Sequence, residues 1–542
     1  MKNRFIVFCW LFLSFQTFVS AETVYFFYVQ LSDKNNTPFS ISNPSAFLSQ
    51  RAIERRLSMG ISCDSTDLPL QPDYVNQIAD VGVKIHSKSK WLNGLTVTTT
   101  DTTIIAQIRN FNFVKQVNLT ARINFPNTQL SRVKGENDLY VYGLADKQIS
   151  QLNGKVLHNQ GYTGRDIHIA VIDAGFNSVD VNSGFDSLRL QSRLLGTKDI
   201  VIPGNNVYAE DTHGANVLSI MAGNYPNQYL GTAPQASYWL IRTEYAPSET
   251  RAELDFWVAG IEFADSVGVD VTNTSLGYTG FDLASDNFTY ADMNGKVSRA
   301  SVAATMASLK GIIVTVSAGN EGSKPWKYLS SPADADDIFT VGSATSTGLP
   351  SYFSSFGPSF DGRVKPDVSA MGTSTAYVGT SGNVSNGNGT SYASPVMAGM
   401  LACYLQFVKS NVTHYNIDDI RQAVLKSASL YSTPDAQLGY GFPDFQVAMN
   451  NILLANNLQN NTTHNIQLLY QVDSKCLKLK MPFELFDSSM RFRIVNLMGN
   501  IVVDKLINNI EVEFYINNFL PGIYVANIFG KKINSSIKFI VP

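Results

Sequence analysis

Beyond residue 140 the chain alternates short apolar runs with longer helical stretches, and this alternation limits the available folds more than any other feature. The runs 167–172, 237–242, 269–274, 312–317 and 338–341 are short and rich in β-branched residues. The segments 213–222, 251–267, 298–310 and 391–408 repeat their apolar residues at helical spacing. Strand and helix in turn predict an α/β domain, here assigned to residues 136–455: a mostly parallel, doubly wound sheet covered on both faces. Such sheets place their sites beyond the carboxyl ends of the strands.

The flanks read differently. Residues 22–135 predict a small α+β unit, with strands at 24–31, 83–86, 94–99 and 114–118 and helices at 44–59, 73–81 and 102–111. A polar linker containing Pro126, Asn127, Ser131 and Gly135 closes it. After an Asn/Thr-rich patch at 456–464, taken as a second boundary, residues to 542 alternate in short apolar runs at 492–497, 501–503, 510–516, 523–528 and 537–541. Turns are expected at Met498-Gly499-Asn500 and Pro521-Gly522, which predicts a carboxy-terminal antiparallel β-sandwich.

At the start, Met1-Lys2-Asn3-Arg4, an apolar run over 5–15 and Val19-Ser20-Ala21 have the three parts of a secretory signal, with cleavage expected after Ala21. The run falls short of the roughly 20 residues of a membrane span, and Ser14 and Gln16 interrupt the region. No membrane span is expected in the mature form. The net charge of −3, with acids and bases interspersed, offers no basic stripe for nucleic acid. Of four cysteines, Cys9 lies in the signal, and Cys63, Cys403 and Cys476 are too scattered to read as a disulfide framework. Cys403, on an apolar helix pattern, reads as a core residue, and no Cys/His cluster has zinc spacing.

Four islands carry the chemistry. Asp173-Ala174-Gly175 ends a strand at a turn; His213-Gly214, after Glu210-Asp211-Thr212, heads a helix of small residues. Gly389-Thr390-Ser391-Tyr392-Ala393-Ser394-Pro395 delivers a serine from a Gly-rich loop to a helix start, with Pro395 expected in the first turn. Val314 to Asn320 is a strand running into Ala318-Gly319-Asn320, an amide on a turn. Singly, each has an ordinary reading: a turn aspartate, a surface histidine, a serine cap, a turn asparagine. Together they supply what acyl transfer needs. A serine hydroxyl is a weak nucleophile until an imidazole takes its proton and a carboxylate fixes the tautomer, and an amide donor can hold the oxyanion.

These islands, in the order Asp, His, Ser, resemble those of the subtilisin-type serine peptidases, the subtilase family, over residues 140–450. The resemblance implies that Ser391 is the nucleophile, His213 the general base and acid, Asp173 the orienting carboxylate and Asn320 the oxyanion donor. It further implies that Ser275-Leu276-Gly277 is the substrate-binding edge and that Ala318 and Gly319 form the facing wall of the pocket. The substrates implied are proteins or peptides. Two departures adjoin the catalytic positions: Ala174 stands where the family has Ser or Thr, and Ala215-Asn216 where it has Thr-His. Some relatives hold structural calcium near 223–230, where this chain has no carboxylate cluster; no metal or other cofactor is assigned.

The unit at 22–135 resembles the family's inhibitory propeptide, which implies a precursor with its own propeptide as inhibitor and a cut between Thr120 and Tyr140. The segments Arg493-Ile494-Val495-Asn496-Leu497-Met498-Gly499, Leu520-Pro521-Gly522-Ile523-Tyr524 and Lys538-Phe539-Ile540-Val541 resemble the sorting domains of the type IX secretion machinery. That implies a secreted or cell-surface protein of a Bacteroidetes bacterium; a generic binding module is the alternative for this region. For the whole chain the alternative is a catalytically silent protein of the same fold. A lipase or esterase is disfavoured because Ala393 replaces the last glycine of a Gly-x-Ser-x-Gly elbow.

Overall fold

The computed structural model describes residues 23–123, 142–225, 227–463 and, with short gaps, 467–541. The expected signal, the linker at 126–135, and the turn residues Met498, Gly499 and Pro521 lie outside the described residues.

A seven-stranded sheet forms the centre, ordered Val368–Met371, Phe339–Ala344, Ile313–Ser317, Val271–Thr274, His168–Asp173, Ser237–Arg242, Leu194–Asp199, and every pairing is parallel. Alternate side chains of the middle strand enter opposite cores. Ile169 and Val171 pack with the helices His213–Ala222 and Thr390–Asn411, while Ala170 and Ile172 pack with Ala252–Ser266 and Arg299–Leu309. Burial on both faces is why such strands read as nearly unbroken apolar runs. The two edge strands, Leu194–Asp199 and Val368–Met371, were not expected from the sequence. Each has one sheet neighbour, the first is partly exposed and carries Lys198, and the second is only four residues long.

The amino-terminal unit is a four-stranded antiparallel sheet ordered Lys84–Ser89, Gly94–Thr99, Val24–Leu31, Val114–Ile123, with helices Gln50–Ser58, Pro72–Asp80 and Ile105–Arg109. The single helix expected over 44–59 is broken: a 3-10 turn at Pro44–Ala46 precedes Ser49, whose side chain caps the helix by accepting from the Ala52 N–H. Alternation again divides the sheet. Phe27 and Val29 fill the unit's own core, whereas Phe26 packs on Phe256 of the central domain with ring centroids 5.6 Å apart.

Charges are buried in that contact. Asp265, fully buried, meets Arg55 at 2.5 Å, Arg56 at 2.8 Å and Lys90 at 3.3 Å, and Arg56 also meets Asp67 at 2.8 Å. Burial opposes ionisation of Asp265, yet the three cations hold its carboxyl well below the usual range. Nearby, Glu262 accepts from the Ser89 hydroxyl at 2.6 Å and from the Lys90 and Trp91 N–H groups at 2.9 and 3.1 Å.

At the other end, strands Gln467–Gln471, Cys476–Lys480 and Glu511–Tyr515 form one antiparallel sheet and Ile501–Leu506, Arg491–Asn496, Gly522–Phe529 and Asn534–Val541 another. Leu477, Leu479 and Phe514 of the first share a buried cluster with Phe492, Ile494 and Ile528 of the second. The helix Phe445–Thr463 runs through the patch expected to be a boundary. Phe445, Ala448, Met449 and Ile452 anchor it in the main core, and packing overrides the weak helix preference of the Asn and Thr residues that follow. Among the described residues no helix is long and apolar enough to cross a membrane, and Cys63, Cys403 and Cys476 are free thiols.

The buried carboxylate at the amino-terminal contact yields a stability prediction. Asp265→Asn keeps the shape but leaves Arg55 buried without its counter-charge and Arg56 with Asp67 alone, a change expected to cost about 3–5 kcal/mol. Chemical unfolding of the full chain checks it; a midpoint and slope unchanged from the parent would contradict the assignment.

Candidate active site

Four adjacent strands deliver the site along one edge of the sheet. In spatial order, Asn320 follows Ile313–Ser317, Ser275 follows Val271–Thr274, Asp173 ends its strand, and Glu244 follows Ser237–Arg242.

Asp173 is fully buried, and its Oδ1 accepts from His213 Nδ1 at 2.7 Å and from the Ala174 N–H at 2.8 Å. Two glycines permit this approach. A Cβ on Gly214 would lie 2.4 Å from the Gly175 carbonyl oxygen and 2.8 Å from Asp173 Cβ, and one on Gly175 would lie 2.3 Å from the Asp211 nitrogen. His213 is the first residue of its helix, and Asp211 Oδ1 accepts its N–H at 2.7 Å. Burial works against a charge on the ring, but the Asp173 carboxylate and its hydrogen bond outweigh it, with Glu244 and Asp211 adding, and the imidazole is raised to about 9. The Asp173 carboxylate thus holds the proton on Nδ1.

Ser391 is the second residue of the helix Thr390–Asn411, so its N–H has no acceptor within the helix. Gly389 before it has φ 154°, a backbone region essentially confined to glycine. The sequence placed Pro395 in the first turn, but it is the sixth residue of the helix. Its missing N–H therefore leaves the Ser391 carbonyl free, and Ser275 Oγ donates to that carbonyl at 3.0 Å. Ser391 Oγ in turn donates to the Ser275 carbonyl at 3.2 Å, not to the imidazole. Hydrogen bonds of this kind are commonly loose in free sites and tighten when substrate binds. Asn273 supports the arrangement, donating to Ser275 Oγ at 3.1 Å and accepting from Ser394 Oγ at 2.8 Å.

Asn320 is held by its oxygen. Oδ1 accepts from the Thr390 N–H at 2.8 Å and the Thr390 hydroxyl at 3.0 Å, which leaves Nδ2 as the donor end of the amide. The Gly319 N–H donates to the same hydroxyl at 3.2 Å. Ser275 and Leu276 are largely buried and Gly277 is exposed; Ala318 is buried opposite them. A Cβ on Gly277 or Gly319 would meet Ser330 Oγ at 2.1 or 3.0 Å, so the two segments border one space beside that serine.

Thr390, Asn273 and Ser394 escaped the sequence reading, although two of them lie inside the seven-residue island. Their signal was the pattern of hydroxyls around Ser391, which gains meaning only when the partner strands are known. Of the two departures, Ala174 contributes only its backbone, and Asp173 Oδ2 has no partner among the described residues. Ala215 is packed in the core and Asn216 is half-buried. Among the described residues no group of three or more His, Cys, Asp or Glu side chains could hold a metal.

Comparison with known proteins gives matches to two parts of the chain. Residues 164–441 match the subtilase family, Peptidase S8, and residues 26–136 match the Peptidase S8 propeptide domain of Bacteroidota. Subtilisin NAT of Bacillus subtilis subsp. natto is 32% identical over 260 residues, 47% of this chain and 60% of that protein. A subtilisin of Bacillus pumilus is 31% identical over 260 residues, 47% of this chain and 83% of that protein. A solved structure, of the prenylagaramide maturation protease PagA, is 22% identical, spans 55% of this chain and 98% of that one, and has a TM-score of 0.44.

The Asp173–His213 bond sets a pH dependence. The ring should titrate well above its ordinary 6.5, near 9, and Asp173→Asn should bring it down sharply. Because the folded value is raised, the pair's contribution to stability is complete below pH 6.5 and is lost as pH rises through about 9. Proton NMR of the imidazole checks both statements, and a ring titrating at or below 6.5 in the parent would refute them.

Proposed function

This chain belongs to the subtilase family, and from that premise we propose that it is the precursor of a secreted serine endopeptidase. The observation that carries the reading is the 2.7 Å bond from His213 to buried Asp173 at the strand end next to the one whose following residue, Ser275, grips Ser391. In the proposed reaction Ser391 Oγ turns from the Ser275 carbonyl, attacks a peptide carbonyl and gives its proton to His213 Nε2. Asn320 Nδ2 and the Ser391 N–H receive the oxyanion, with Thr390 aiming the amide. Collapse breaks the C–N bond, His213 protonates the leaving amine, and water activated by the same imidazole hydrolyses the acyl-enzyme. Ser275, Leu276 and Gly277 on one side and Ala318 and Gly319 on the other bound the space for the substrate, a protein or peptide. No step calls on a metal.

The base is the neutral imidazole, so kcat/KM should rise with pH as His213 loses its proton. Residues 22–135 are read as signal-proximal propeptide and linker, 136–455 as the peptidase domain, and 456–542 as the sorting domain. Export under the signal at 1–21, use of the type IX machinery and a location outside a Bacteroidetes cell complete the proposal.

A fluorophosphonate probe should label the processed protein and fail to label Ser391→Ala; a silent protein of the same fold gives no labelling in either. Asn320→Ala should still be labelled but lose roughly 10²–10³ in kcat, the scale measured for removing one such donor from a subtilisin. Sequencing the amino terminus of the secreted protein should place it between Thr120 and Tyr140, and deleting 492–542 should stop export. Normal export of the deleted chain would favour a binding module instead.

A further inference from the structure

Glu244 has no role in the reaction just described, yet it stands beside the catalytic pair. Its strand, Ser237–Arg242, neighbours that of Asp173, with Arg242 paired to Asp173 in the register, and the N–H of the intervening Thr243 donates to the Asp173 carbonyl at 3.1 Å. Glu244 is half-buried, and among the described residues it has neither a hydrogen bond nor an ion pair. Two nearby guanidinium groups are committed elsewhere. Arg242 pairs with Asp199 at 2.9 Å and Glu210 at 3.2 Å, and Arg251 lies over the Phe288 ring at 4.7 Å while donating to the Asp286 carbonyl at 2.7 Å.

Four acids surround Glu244, namely Asp173, Asp211, Glu249 and Glu253, and the His213 imidazole acts against them. Burial, followed by Glu249 and Asp173, pushes Glu244 up to about 8, and burial pushes Glu253 to about 9. The loop that carries these groups is tied down: Glu253 accepts from the Tyr245 and Thr250 N–H groups at 2.9 Å each, and Asp282 Oδ2 accepts from the Glu249 N–H at 3.2 Å. Tyr278 is fully buried, its hydroxyl has no partner among the described residues, and its ionisation is opposed first by burial and then by Glu244, Glu253, Glu249 and Asp173, which puts the phenol beside the same acids. Thr243, also fully buried, likewise has an unpartnered hydroxyl.

The order of the strands says which part of a substrate comes here. An attacked carbonyl over Ser391 has its oxygen toward Asn320, and its own side chain takes the space bounded by Gly277, Gly319 and Ser330. Side chains of an extended peptide alternate, so the preceding residue projects the other way, across His213 toward Glu244. We infer that Glu244 selects a lysine or arginine side chain in the residue immediately before the one whose carbonyl Ser391 attacks. The inference rests on the endopeptidase reading, and the cation supplies counter-charge to a cluster of acids that the His213 ring ceases to offset once it is neutral and able to act as base.

Two peptide measurements on the processed protein test it and separate its failure from that of the parent reading. With peptides differing only at that residue, kcat/KM for Lys should exceed that for Gln by roughly tenfold, the scale of one partly desolvated charge pair, and Glu244→Gln should bring the ratio near one. Glu244→Lys should reverse the preference in favour of Glu. Fluorescence anisotropy with Ser391→Ala, which needs no turnover, should show the Lys peptide binding more tightly than the Gln peptide, and the difference should vanish in Ser391→Ala/Glu244→Gln. Cleavage or binding with no Lys preference, or with one that Glu244→Gln leaves intact, overturns the assignment of Glu244. If no peptide is cleaved but the binding preference appears and depends on Glu244, hydrolysis is overturned and the cation site stands.

Discussion

Everything at this site is referred to one buried negative charge, the Asp173 carboxylate at the end of the middle strand. It is fully buried, and among the described residues its hydrogen bonds come from the His213 imidazole and the Ala174 N–H. Such a charge is tolerable when its partner is delivered at hydrogen-bond distance and held there. Gly175 and Gly214 make that delivery by removing the side chains that would separate strand end from helix start. The same bond then gives His213 its basicity. A ring raised to about 9 is a stronger base than a free imidazole but is mostly charged at neutral pH, so its basicity is gained at the expense of its neutral fraction.

The serine is governed by a different device. A proline within a helix usually costs stability because it leaves a carbonyl without its donor. Here the carbonyl it leaves belongs to Ser391, and Ser275 from the neighbouring strand end supplies the replacement. The helix is thereby fastened to the sheet at the residue whose hydroxyl must be positioned, while Thr390, one residue earlier, fastens Asn320. The helix start and three strand ends behave as one rigid frame because each polar group left over by one element is satisfied by another.

That interlocking marks the limit of what could be read in the chain. The order of strands and helices was legible because apolar runs buried on both faces carry their own signal, and the Asp, His and Ser islands were legible because each combines a chemical residue with the glycine that positions it. The edge strand Leu194–Asp199 was not, since exposure dilutes its pattern. Pro395 was misplaced by most of a turn because a proline near a serine is ordinarily an early helix residue, and only the position of Ser275 explains its tolerance deeper in. Glu244 had no local signature at all. A single glutamate after a strand acquires meaning from the strand beside it, and strand order is not written in any one segment.

The contact of the amino-terminal unit follows the same logic of counter-charge with a different outcome. Asp265 and Glu262, both on the helix Ala252–Ser266, receive cations and N–H groups from residues 55–91, so the central domain carries two buried acids whose partners are almost all supplied from outside it. Buried ion pairs add little net stability, but leaving one half unpaired is costly. Separation is softened because both acids lie on one helix face that water can reach once the unit leaves. Within one chain the linker keeps the two parts at high effective concentration; a cut in the chain between 123 and 142 would leave these contacts alone to hold them. The buried charge pairs and the apolar contact around Phe26 and Phe256 would then share that task.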